Sequence, residues 1–129
     1  MIKRCMDEIY KIYGIRNCDQ NIKLLDILEE AEVEFEFFDF RDYPPSAEQL
    51  QLWGEFEGDD FPINYRSSLF KKNKKKFDKL SDADKVAWLQ EHYHCLTRPI
   101  IEDEQGDILS IGGRPERLAV KVFRLEKDY

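Results

Sequence analysis

Cys18 has the most chemistry open to it, because of the residues on either side. Upstream, Ile9, Lys11 and Tyr13 alternate with Tyr10, Ile12 and Gly14, the two-residue period of a strand. Gly14 and Asn17 mark a short loop. After Cys18 the apolar residues Ile22, Leu25 and Leu28 recur at three-residue spacing, as on one face of a helix. A thiol placed where a strand hands over to a helix lies beside backbone N–H groups that the first turn leaves unpaired, at the positive end of the helix dipole. Both favour the thiolate: a free cysteine titrates near ~8.5, and a helix N-terminus can bring that to ~3.5–7.5. Asp19 in the first turn opposes this, and Arg16 offsets it in part. The chemistry on offer is nucleophilic attack by sulfur. Most free cysteines are instead small buried hydrophobes. The strand-to-helix turn is nevertheless where open α/β sheets place ligands, so both readings stand.

The elements that must position this sulfur follow in order. Val33 to Phe40 alternates and is rich in aromatics, which predicts a strand buried on at least one face. Strand, helix and strand within about thirty residues make a βαβ unit with parallel strands and a right-handed crossover. Tyr43-Pro44-Pro45 ends the extended segment. Ser46 with Gln49 is a capping box that opens a helix through Leu50 and Trp53. Gly54 to Pro62 reads as an acidic loop, Asn64 to Phe70 as the start of a short helix, and Ser81 as the cap of another helix with Val86, Trp88 and Leu89. Lys71 to Lys76 is the strongly basic run between them. No aromatics interleave within it, which favours a solvated connector over a phosphate or nucleic-acid patch. Thr97 to Glu102 and Asp107 to Ile111 flank the turn residues Asp103 to Gly106, an antiparallel hairpin. Gly112-Gly113-Arg114-Pro115-Glu116 starts a last helix with Leu118, Val122 and Leu125 inward.

Composition narrows the function classes. At 129 residues, 42% apolar and 13% aromatic, the chain is globular, with one core as the expectation. No run approaches the ~18–20 apolar residues of a membrane span, and the opening MIKRCMDE lacks the apolar centre of a signal peptide. The expected location is cytoplasmic, with no membrane partner. Three cysteines argue against a disulfide framework. His92, His94 and Cys95 have no zinc-site spacing, so no metal is expected. A net charge of −7 speaks against direct nucleic-acid binding. Residues 1–7 precede the first strand as a tail or its extension, and Cys5 stands there without a motif.

Tyr13-Gly14-Ile15-Arg16-Asn17-Cys18-Asp19, Pro44-Pro45-Ser46 and Thr97-Arg98-Pro99-Ile100-Ile101 occur in that order of elements. Together they resemble the arsenate-reductase-like ArsC/Spx family, over Ile9 to about Phe123. The form YGIxNCD is most similar to its glutathione-dependent thiol reductase-like branch. The resemblance implies a thioredoxin fold: a mixed four-stranded sheet in a single α/β domain over residues 1–129, with a helical insert at about 44–96 between the second and third strands. It implies Cys18 as nucleophile, Arg98, Arg66 and Arg114 as an oxyanion clamp, and Asn17, Thr97 and a cis Pro99 as substrate contacts. Guanidinium groups suit that role, holding oxyanions through paired charge-assisted hydrogen bonds and staying cationic at any working pH. From the residues alone, Arg66 and Arg114 read equally as surface ion pairs.

One departure concerns redox switching. Regulators of this family carry a second cysteine three residues after the first, and here that residue is Asn21. Cys5 and Cys95 remain as disulfide partners, although Cys95 falls in a stretch whose family counterpart is apolar and is expected in the core. The leading expectation is a monothiol oxidoreductase without bound cofactor. Glutathione serves as co-substrate, with glutaredoxin as a further partner, and the substrate is a small oxyanion such as arsenate or a mixed disulfide. The alternatives are a Spx-like regulator that docks on RNA polymerase without catalysis, using acidic loops such as Glu55 to Asp60, and a diverged scaffold without activity.

Overall fold

The computed structural model describes residues 8–125, so the expectations for residues 1–7, Cys5 among them, lie outside the described residues. The chain divides into two compact units. One is built from the chain up to Asp39 and from Arg98 onward, the other from Phe40–Thr97.

The first unit holds the sheet. Strands β1 (Tyr10–Gly14), β2 (Phe35–Asp39), β3 (Ile100–Glu102) and β4 (Ile108–Ile111) lie in the order β2-β1-β3-β4. β1 and β2 are parallel, whereas β1 with β3 and β3 with β4 are antiparallel. This is the expected α/β, thioredoxin-like mixed sheet, with three helices between β2 and β3. Helices α1 (Asp19–Glu30) and α5 (Pro115–Lys121) pack on each other and on the sheet. Ile12 and Ile101, side by side in register, meet Leu24, Leu28, Val33, Leu118 and Phe123 in one buried cluster. The Tyr10 and Phe123 rings close its edge at 4.8 Å. Each fully buried leucine here contributes about 1.5–3 kcal/mol.

The buried stripe of α1 differs from the expected one. Asn21, Leu24 and Leu28 face inward, Leu25 is half-buried, and Ile22 is 42% exposed. Spacings of three and then four keep side chains within about 60° of one another on a helix, while two steps of three spread them over about 120°. The turn before α5 needs glycine, since Gly112 and Gly113 both have positive φ, and a Cβ at Gly113 would sit 3.1 Å from Leu118 Cδ2. Val122 and Leu125 follow the end of α5 and pack on its core side.

The second unit comprises α2 (Ala47–Phe56), α3 (Ser68–Asp78), α4 (Asp82–Glu91) and a 3-10 turn, Tyr93–Cys95. The Ser46/Gln49 capping box and the Ser81 cap form as expected. Two expectations are corrected. Gly54 to Phe56 belong to α2, because Gly54 is the residue over which the backbone of Asp60 and Phe61 can pass; a Cβ there would lie 2.4 Å from the Asp60 carbonyl. Lys71 to Lys76 is helical rather than a connector. Ser67 caps α3, Phe70 and Phe77 anchor its inner face, and the lysines take its solvent face. Phe70, Phe77 and Trp88 meet edge to face at 5.2–6.1 Å. Cys95 is fully buried, 3.5 Å from Ser67 Oγ, a core thiol as expected. Among the described residues no helix is long and apolar enough to cross a membrane.

Within the first unit, Lys23 of α1 donates to Glu116 of α5. That hydrogen bond is the main cause holding the Glu116 carboxyl below its ordinary value. A depressed carboxyl stabilises the fold above its unfolded pKa, and the contribution is lost as pH falls through the folded one. Replacing Lys23 with Met is expected to move the Glu116 titration upward toward an ordinary glutamate, read by carbon-detected NMR across the acid range.

Candidate active site

Cys18 is the N-cap residue of α1, with extended backbone (φ −94°, ψ 123°) and no side-chain hydrogen bond onto the first turn. The thiol therefore occupies the place that serine, threonine or aspartate usually fills, and it leaves the first-turn N–H groups uncapped by a side chain. It is half-buried, so it remains within reach of solvent.

The loop that carries it is pinned by side chains from below. Asn21 Oδ1 accepts the Ile15 N–H at 2.8 Å, and Asp39 Oδ2 accepts the Arg16 N–H at 2.8 Å. Both side chains are buried, Asp39 completely. The Arg16 guanidinium stands 3.8 Å from the same Asp39 oxygen, so its charge is shared with that carboxylate instead of serving Cys18 alone. Within the loop, the Cys18 N–H donates to Ile15 O at 3.1 Å, and the Ile22 N–H donates to Cys18 O at 2.9 Å. Gly14 makes the arrangement possible, because a Cβ there would lie 2.3 Å from Asn21 Oδ1. Asn21 and Asp39 are thus positioning residues beyond those expected from the sequence. Their signals were an amide on the apolar stripe of α1 and a carboxylate ending an aromatic strand.

Sheet register brings further residues to this end. Tyr13 pairs with Ile100, so Arg98 and Pro99 lie at the carboxyl end of β1, from which the Cys18 loop departs. Ile100 pairs with Ile111, and the Gly112 N–H donates to Pro99 O at 2.7 Å, which carries Gly112, Gly113 and Arg114 to the same end. Arg98 is half-buried, and the Arg98–Pro99 peptide is cis, as the resemblance implied. Arg114 is the exposed N-cap of α5, and Asn17 is exposed in the Cys18 loop. Thus Cys18, Asn17, Arg98, Pro99 and Arg114 share one end of the sheet.

Arg66 and Thr97 belong to the second unit. Arg66 is exposed ahead of α3, its N–H donating to Asn64 Oδ1 at 3.1 Å. Beside it, the Tyr65 hydroxyl donates to Asp59, and burial together with that bond raises the phenol above its ordinary value. The Thr97 N–H donates to Pro62 O at 2.8 Å. Among the described residues no group of three His, Cys, Asp or Glu side chains is placed to hold a metal ion.

A mixed sheet of this order, with a cysteine where β1 turns into α1 and a cis proline before β3, defines a thioredoxin-like fold of the cysteine-bearing kind. The sequence model of the ArsC family matches residues 13–120, and the chain belongs to the ArsC family. Among solved structures it is similar to the YffB protein, with 24% identity and a TM-score of 0.66 over 86% of this chain and 96% of that one. It is also similar to an arsenate reductase from Vibrio cholerae, with 24% identity and a TM-score of 0.63 over 84% and 92%. An ArsC-related protein from Brucella melitensis shares 23% identity at a TM-score of 0.63 over 91% and 96%. No curated protein matches the chain.

Truncating Asn21 strands the Ile15 N–H inside the protein. Asn21→Ala is expected to cost about 1–3 kcal/mol, the penalty of a buried donor left unpaired, measured as a lowered urea midpoint. Hydrogen exchange at the Ile15 amide should quicken with it.

Proposed function

We propose that the chain is an arsenate reductase-like thiol oxidoreductase in which Cys18 is the nucleophile and glutathione the resolving thiol. The observation that carries this reading is a solvent-reachable cysteine at the uncapped start of α1, on the sheet end shared with Arg98, Pro99 and Arg114. Membership of the ArsC family supports it, as does likeness to a protein described as an arsenate reductase.

In disulfide exchange the Cys18 thiolate attacks one sulfur of glutathione disulfide or of a mixed disulfide. The old S–S bond breaks as the new one forms, and the other sulfur leaves as a thiolate. A glutathione thiolate then attacks the glutathionyl sulfur, which restores the Cys18 thiolate and yields glutathione disulfide. With arsenate, Cys18 sulfur replaces one oxygen on arsenic, which departs as water. Attack by glutathione on that sulfur returns the S–As electron pair to arsenic, releasing arsenite and leaving the same Cys18–glutathione disulfide. Arg98 and Arg114 hold the anionic group in this scheme, and fixed cations at a site of developing charge are a principal source of rate. Arg66 enters through the family resemblance, and its own substitution tests it.

Reduced protein incubated with oxidised glutathione is expected to gain the mass of one glutathionyl group, read on the intact chain. Cys18→Ser should abolish the gain, and Arg98→Ala should slow it about tenfold or more. A gain that survives Cys18→Ser overturns the assignment.

A further inference from the structure

The β4 and α5 segments border an open groove of about 550 Å³, in volume within the ~300–1,000 Å³ range typical of small-molecule sites. Arg114, Arg117 and Lys121 line it on one side, and Leu109, Ile111 and Leu118 supply apolar walls. The three cations recur at spacings of three and four, so they share one face of the helix. In a chain of net charge −7, this is a local reversal of sign.

Among the described residues no carboxylate forms an ion pair with Arg117 or Lys121. The acid next to them on α5, Glu116, is engaged by Lys23 of α1. Arg117 and Lys121 are both exposed. The groove also has a direction: Arg114 lies at the sheet end of Cys18, and Lys121 is seven residues further along, about 10 Å at the helical rise. A ligand that suits it has a reactive group at the Arg114 end, a partly apolar body and a carboxylate reaching down the helix.

We propose that this groove is the carboxylate subsite for the peptide thiol that resolves Cys18, with Arg117 and Lys121 holding a carboxylate arm while the sulfur is presented from the Arg114 end. The inference rests on the thiol-reductase reading of Cys18. Its consequence is selectivity: anionic peptide thiols are recognised here, and small uncharged thiols have nothing to engage the two outer cations.

The probe is S-methylglutathione, which cannot undergo exchange, titrated into the full ¹⁵N-labelled chain. Amide shifts are expected at Gly112, Gly113, Arg117 and Lys121, and they should be absent with the diethyl ester of the same compound. The double variant Arg117→Gln/Lys121→Gln is expected to weaken binding about tenfold or more. It should also lower, by a similar factor, the ratio of adduct resolution by glutathione to that by 2-mercaptoethanol. Both side chains are exposed, so an unchanged melting temperature will separate this loss from misfolding. No binding, shifts confined to other residues, or an unchanged affinity in the double variant overturns the subsite. If S-methylglutathione binds here but Cys18 forms no adduct with oxidised glutathione, the redox reading falls and the anion site stands. If the adduct forms and the double variant resolves it with unaltered selectivity, the subsite falls and the redox reading stands.

Discussion

Two buried side-chain acceptors set the geometry at the head of α1. Asn21 takes the Ile15 N–H and Asp39 takes the Arg16 N–H, both at 2.8 Å, in a loop whose amides have no strand to pair with. Buried amides without partners cost roughly 1–3 kcal/mol each. The two bonds therefore hold the loop to one path over the end of β1, and that path decides where the Cys18 sulfur emerges. The Asn21 side chain fits because Gly14 has no Cβ. The loop and the first turn of the helix are thereby one mechanical piece, in which the residue three positions after the cysteine is a strut and not a second thiol.

The sheet supplies the second constraint. β3 is only three residues long, and its register against β1 and β4 leaves no freedom in where Arg98 or Arg114 arrives. The Gly112 N–H to Pro99 O bond joins the segments just outside the strands. Residues 80 and 96 positions from Cys18 in the sequence thus reach its end of the sheet by pairing pattern alone. The Lys23–Glu116 pair adds a further link between the two helices on that face. Being exposed, it contributes little to overall stability.

The second unit is organised on aromatic contacts, with Phe70, Phe77 and Trp88 meeting edge to face and Phe40 against Trp53. The lysine-rich α3 tolerates its charge because water screens the exposed side chains. Lys75 and Lys76 also fall in the last turn, where cations complement the helix dipole.

Local chemistry was legible in the sequence: the alternation of β1 and β2, the capping box at Ser46, the cap at Ser81, the proline that opens α5, the turn between β3 and β4, and the cysteine at a strand-to-helix junction. Each depends on residues within a few positions of one another. The ArsC motifs extended that reading to the order of elements and the cis Pro99. Other features needed partners distant in sequence. Which face of α1 is inward was settled by Ile12, Ile101 and Leu118 across the core. The lysine run became a helix because Phe70 and Phe77, one on either side of it, are both drawn into an aromatic cluster with Trp88. Asn21 and Asp39 look like surface residues in a list, and only folding buries them beneath the loop they hold. The sequence by itself determined that a cysteine sulfur stands at the start of a helix. The tertiary structure decided which charges share its end of the sheet, because strand register, which joins residues some eighty to a hundred positions apart, is set by a core that no local window contains.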